Sequence, residues 1–80
     1  MLIDIIEVKP LPAYKLFLVF EDGTRGEVDI TQIIPFKGVF AKLVDKDFFN
    51  SVKINPELGT ICWKNGVTLA PSALYDTIKH

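Results

Sequence analysis

Apolar and polar positions alternate most regularly over Tyr14-Lys15-Leu16-Phe17-Leu18-Val19-Phe20. This reads as a strand with Tyr14, Leu16, Leu18 and Phe20 on one face and Lys15, Phe17 and Val19 on the other. Glu21-Asp22-Gly23 turns the chain, and Thr24 to Ile30 returns. Two registers compete. A two-residue Asp22-Gly23 loop would set Leu16 against Asp29 and Leu18 against Glu27. A three-residue Glu21-Asp22-Gly23 loop, with Gly23 left-handed, sets Phe20 against Thr24, Leu16 against Val28, Tyr14 against Ile30 and Lys15 against Asp29. The second keeps one face apolar and pairs opposite charges, so it is the expected register. It leaves Phe17 and Val19 on an outer face beside Arg25 and Glu27. Such a half-apolar face calls for cover by a helix or by another subunit.

Ahead of this hairpin, Leu2 to Val8 is rich in Ile and Val and predicts a further strand. Lys9-Pro10-Leu11-Pro12-Ala13 predicts a connection, because proline cannot donate within a central ladder. Residues 31–50 change character. Pro35 stops Thr31–Ile34, with Asp29 or Thr31 as its cap. Val39, Phe40 and Leu43 fall at helical intervals, and Asp45 caps a turn running to Asn50. These pieces predict one-turn helices that lay aromatic rings on a sheet.

Strands resume at Ser51–Asn55 and, after the Pro56–Gly59 loop, at Thr60–Trp63. Lys64-Asn65-Gly66 then repeats the earlier three-residue turn. Opposing Ile54 to Ile61, Val52 to Trp63, Trp63 to Val67 and Ile61 to Leu69 gathers all six of these side chains on one face. That consistency across two turns marks the stretch around Trp63 as core. Pro71 suits the first turn of a helix that carries Leu74 and Ile78 on one side and ends at His80. The prediction is a single α+β domain over residues 1–80: two antiparallel three-stranded meanders separated by short helical turns, with a short C-terminal helix.

A 49% hydrophobic content supplies a packed core. Nine basic against ten acidic side chains leave no basic excess to attract a phosphate backbone, so contact with nucleic acid is expected only indirectly, through a partner. The net charge of −1 provides little repulsion between copies, which favours a homo-oligomer or a protein partner. A single cysteine makes no internal disulfide and fits a reducing cytoplasm. Asp4 and Glu7 interrupt the N-terminal apolar run and no basic segment precedes it, so no signal peptide is expected. No run approaches the roughly 18–20 apolar residues of a membrane span.

Candidate chemistry is sparse. Cys62 as a nucleophile would need a base, and the only histidine is His80, at the end of the chain. A small buried or edge residue accounts for Cys62 better. Asp45 and Asp47 lack the further oxygens and central glycine of a calcium loop, and capping explains Asp45. Turn chemistry and capping explain Asp22 and Asp29. The glycines form no phosphate-binding motif. A base-stacking platform on Tyr14, Phe17 and Trp63 would also need basic residues along a backbone path, and Lys15, Arg25, Lys53 and Lys64 lie scattered among acids. Catalytic, metal and cofactor residues are therefore expected to be none.

Five segments carry a resemblance: Leu18-Val19-Phe20-Glu21-Asp22-Gly23 with Val28-Asp29-Ile30; Phe40-Ala41-Lys42-Leu43 with Asp45 and Phe48; Gly59 to Gly66; and Leu69-Ala70-Pro71-Ser72-Ala73-Leu74-Tyr75. In order and spacing they resemble the domain-of-unknown-function 2442 family over nearly the whole chain. The resemblance implies a prokaryotic cytoplasmic α+β protein without an established activity. Some members carry a following helix-turn-helix domain, and some are encoded beside another small protein in a toxin–antitoxin-like arrangement. No DNA-binding segment is expected in these 80 residues, so a regulatory role would act through a partner. The expectation is a non-enzymatic interaction or regulatory module, with Phe17, Val19, Arg25 and Glu27 as its surface. The alternative is an accessory nucleic-acid-binding domain that works with a DNA-binding partner.

Overall fold

The computed structural model describes residues 3–79. Leu2, the expected start of the first strand, and His80, the expected end of the last helix, lie outside the described residues. The strands are β1 (Ile5–Leu11), β2 (Lys15–Phe20), β3 (Arg25–Asp29), β4 (Lys53–Asn55) and β5 (Thr60–Cys62). Two 3-10 helices, Ile30–Gln32 and Gly38–Val44, and the one-turn helix α1 (Lys46–Phe49) separate β3 from β4. Helix α2 (Pro71–Lys79) follows β5. The strands form a three-stranded antiparallel sheet, ordered β1-β2-β3, and a two-stranded β4-β5 sheet.

The β2–β3 hairpin has the expected three-residue register. Leu16 pairs with Val28 and Lys15 with Asp29, and the Phe20 N–H donates to the Thr24 carbonyl at 2.8 Å. Gly23 supplies the left-handed residue, with φ +89°. The connection expected at Lys9–Ala13 is shorter than the prolines implied. β1 runs through Pro10, which pairs with Leu16. β1 is an edge strand, the one place in a sheet where a residue without an N–H is tolerated. Pro12-Ala13-Tyr14 then makes the turn, with Ala13 and Tyr14 both left-handed at φ 63° and 60°. Tyr14 holds this conformation. Its hydroxyl donates to the Val44 carbonyl, and its ring meets Phe36 and Phe49 edge-on at 5.3 and 5.4 Å.

The second expected meander is a hairpin with a remnant third strand. Ile54 pairs with Ile61 as predicted, and the Trp63 N–H donates to the Val67 carbonyl. The returning segment contributes only the single bridge Cys62–Thr68. The Leu69 carbonyl accepts the Thr60 hydroxyl at 2.6 Å instead of a ladder N–H, and Pro71 starts α2 two residues later. Between the sheets, Asp29 caps the first 3-10 helix through the Thr31 N–H, and Asp45 caps α1 through the N–H groups of Asp47 and Phe48. Val39, placed with Phe40 and Leu43 at helical intervals, is 68% exposed whereas Leu43 is 1% exposed. The segment is a 3-10 helix with three residues per turn, so Phe40 and Leu43 eclipse and Val39 leaves their face.

One hydrophobic cluster joins both sheets. It holds Ile5, Leu16, Leu18, Phe20, Val28 and Ile30 from the larger sheet and its exit, and Val52, Ile61, Trp63 and Leu69 from the smaller. Leu43, Phe49 and Leu74 close it. Helix α2 lies on the same inner face. Tyr75 meets Phe20 edge-on at 5.1 Å, and a Cβ placed on Gly26 would come within 3.0 Å of Ile78.

Candidate functional site

Side-chain alternation across three paired strands dictates the outer face. Its rows are Glu7–Val19–Arg25, Lys9–Phe17–Glu27 and Leu11–Lys15–Asp29, each written from β1 through β2 to β3. The four expected surface residues are thus brought together as two cross-strand pairs, Phe17–Glu27 and Val19–Arg25. Their environments differ. Phe17 is half-buried and takes no part in the core cluster. Val19 is only 6% exposed, with Glu7 and Arg25 as its cross-strand neighbours, so of the two expected apolar residues it is Phe17 that the face presents. Helix cover, one of the two expected, does not reach Phe17, because α2 packs on the inner face.

β1 supplies what the sequence pattern missed. Lys9, Glu7 and Leu11 line a shallow groove of about 520 Å³ together with Val8, Phe17 and Glu27. A register shift between Ile5 and Glu7 leaves Ile6 as an extra residue there, and it is 58% exposed. Treating Lys9-Pro10-Leu11 as a connection hid Lys9 and Leu11, whereas Glu7 and Val8 fell within the expected Leu2–Val8 strand. The period-two alternation of Glu7, Lys9 and Leu11 against Val8 and Pro10 was the available signal.

A second hollow of about 380 Å³ lies at the Pro12-Ala13-Tyr14 turn, lined also by Pro10, Leu11, Lys46, Phe49 and Asn50. It presents no nucleophile beside a base, and the Tyr14 hydroxyl is already given to the Val44 carbonyl. Cys62 is buried between its pair partners Lys53 and Thr68. Among the described residues, no group of three or more His, Cys, Asp or Glu side chains is placed to hold a metal ion.

Asp22 has a clear electrostatic role in the fold. Its carboxylate accepts the Thr24 N–H at 2.9 Å and the Tyr75 hydroxyl at 2.7 Å. The Thr24 backbone bond, followed by the Tyr75 hydroxyl, holds its pKa below the usual aspartate value. This ties the β2–β3 turn to α2.

The model of a protein family described as a protein of unknown function (DUF2442) matches residues 5–80. The chain belongs to the domain-of-unknown-function 2442 family. No curated protein and no solved structure matches it. The resembling segments take structural roles in this family member: Asp22-Gly23 makes the hairpin turn, Asp45 caps α1, and Trp63 fills the core. Among the described residues of this 2442-family domain, no helix is long and apolar enough to cross a membrane.

Proposed function

We propose that this 2442-family domain is a non-enzymatic protein-interaction module, the partner-binding member of a two-protein or self-associating regulatory assembly, with the outer sheet face as its contact surface. One observation carries the reading. The larger sheet has an apolar residue, Phe17, outside the core cluster and at the centre of the face turned away from α2, with charges of both signs on either side. An apolar anchor within a polar rim is the anatomy of a protein contact. A toxin–antitoxin-like pair is one setting in which such a module would work.

The test is a photo-crosslinking residue placed at Phe17 in the source cell, with the same residue at exposed Lys64 as control. A discrete adduct at position 17 that is absent at position 64 supports the reading. Equal or absent crosslinking at both positions would overturn it.

A further inference from the structure

We infer that the outer sheet face is the interface of a symmetric homodimer, in which a second copy docks face to face about a twofold axis parallel to β2; this rests on the interaction reading above. The argument comes from the charge pattern. Across the face, Glu7 and Arg25 flank Val19, and Lys9 and Glu27 flank Phe17. Each pair stands two strand spacings apart, roughly 10 Å, with the apolar residue between. A twofold axis along β2 exchanges left for right and keeps height along the strand. It therefore sets Glu7 over the other copy's Arg25, Lys9 over its Glu27, and Phe17 and Val19 over their own images. Both charged rows become complementary at once, and each contact occurs twice, as an isologous interface requires.

The other in-plane axis, across the strands, fails this comparison. It would pair Arg25 with Asp29, but it would lay Val19 on Lys15 and Glu7 on Leu11 and set Lys9 and Glu27 each against its own image, so fewer charges find a partner. The axis along β2 leaves one weak row, Leu11–Lys15–Asp29, where Lys15 meets its own image and Leu11 lies over the other copy's Asp29. That row ends the face beside the Pro12-Ala13-Tyr14 turn, and each Lys15 keeps Asp29 as its cross-strand neighbour. Sheets that pack face to face rotate by about 30°, which such an axis accommodates by bisecting the angle. The face spans three strands by about five residues, roughly 14 by 17 Å. That is smaller than the roughly 800 Å² per partner of a standard stable interface, so the dimer exchanges with monomer and must be measured at high concentration.

The experiment is sedimentation equilibrium of the full chain from micromolar to millimolar concentration. Wild type is expected to show reversible dimerisation. Glu7→Arg and Arg25→Glu should each weaken it by about tenfold, since each reversal acts twice across the axis. The double charge swap E7R/R25E should bring the Kd back to within about threefold of wild type, the signature of a coupled pair. Thermal unfolding in the dilute, monomeric range should be unchanged in all three variants, which separates contact between copies from contact within one chain. A strictly monomeric wild type, or a double variant no better than the singles, overturns the dimer. The crosslink at position 17 separates the two readings: an adduct with a different protein overturns the dimer and keeps the interaction face, whereas no adduct overturns both.

Discussion

Trp63 concentrates the energetics at the residue scale. It is 1% exposed, its Nε1–H donates to the Phe49 carbonyl at 3.0 Å, and its ring lies 6.0 Å from that of Phe49. Trp63→Ala opens a cavity and strands the carbonyl, at an expected cost of about 3–5 kcal/mol. A chain of this length holds roughly 4–12 kcal/mol in total, so the variant should sit near its unfolding limit in urea titrations. A loss below about 1 kcal/mol would mean that Trp63 is not core. Asp22 yields a prediction in pH. Its folded pKa lies below the unfolded value, so its contribution is complete above the unfolded pKa and is lost as pH falls through the depressed folded one. Asp22→Asn should therefore lower the melting temperature at neutral pH, and the gap from wild type should close in acid. A gap that persists unchanged in strong acid would show that the charge is irrelevant.

At the scale of elements, what could be read in the sequence was whatever neighbours along the chain decide. Asp22-Gly23 and the alternation from Tyr14 to Phe20 define the β2–β3 register, and the same logic places Ile54 against Ile61. Pro10 misleads because edge position is a property of strand order, which no local pattern contains. Val39 misleads because 3.0 and 3.6 residues per turn diverge within one turn. The Pro12-Ala13-Tyr14 turn was unreadable for a different reason: neither left-handed residue is a glycine or asparagine. Its conformation is imposed by the rings of Phe36 and Phe49 around Tyr14. This gives an element-scale prediction. A left-handed alanine costs about 1–2 kcal/mol, and glycine brings back roughly 0.5–1 kcal/mol of unfolded-state entropy. Ala13→Gly should thus raise stability by up to about 1 kcal/mol. Tyr14→Gly removes the contacts that hold the turn and should lower it. Thermal melts of both decide the matter, and a lower melting temperature for Ala13→Gly would rule out stored strain at that position.

At the scale of the whole molecule, the candidate surface shows how far a hairpin can be read without its neighbours. Phe17, Val19, Arg25 and Glu27 share a face by register alone. The row through Val19, however, is completed by Glu7 of β1, and that β1 pairs with β2 is a matter of strand order that the hairpin does not contain. The core poses the complementary question of whether two small sheets fold as one. The β4–β5 hairpin has three residues per strand and no independent core. Isolated two-stranded hairpins are marginal in water, so its order depends on the cluster that Ile61 and Trp63 share with Leu16, Leu18 and Phe20. Asp4 and Ile5 add backbone bonds: the Asp4 carbonyl accepts the Glu21 N–H, and the Ile5 N–H reaches the Gly59 carbonyl at 2.9 Å. Unfolding should therefore be a single transition in which Trp63 fluorescence, reporting on the smaller sheet, and far-ultraviolet dichroism coincide. Val28→Ala in the larger sheet and Ile61→Val in the smaller should shift both signals together, by about 2–4 and 0.5–1.5 kcal/mol respectively. If Ile61→Val moved the fluorescence transition alone, the smaller sheet would be a separate unit of unfolding. The outer face would then stand on a β1–β2–β3 sheet that holds without it.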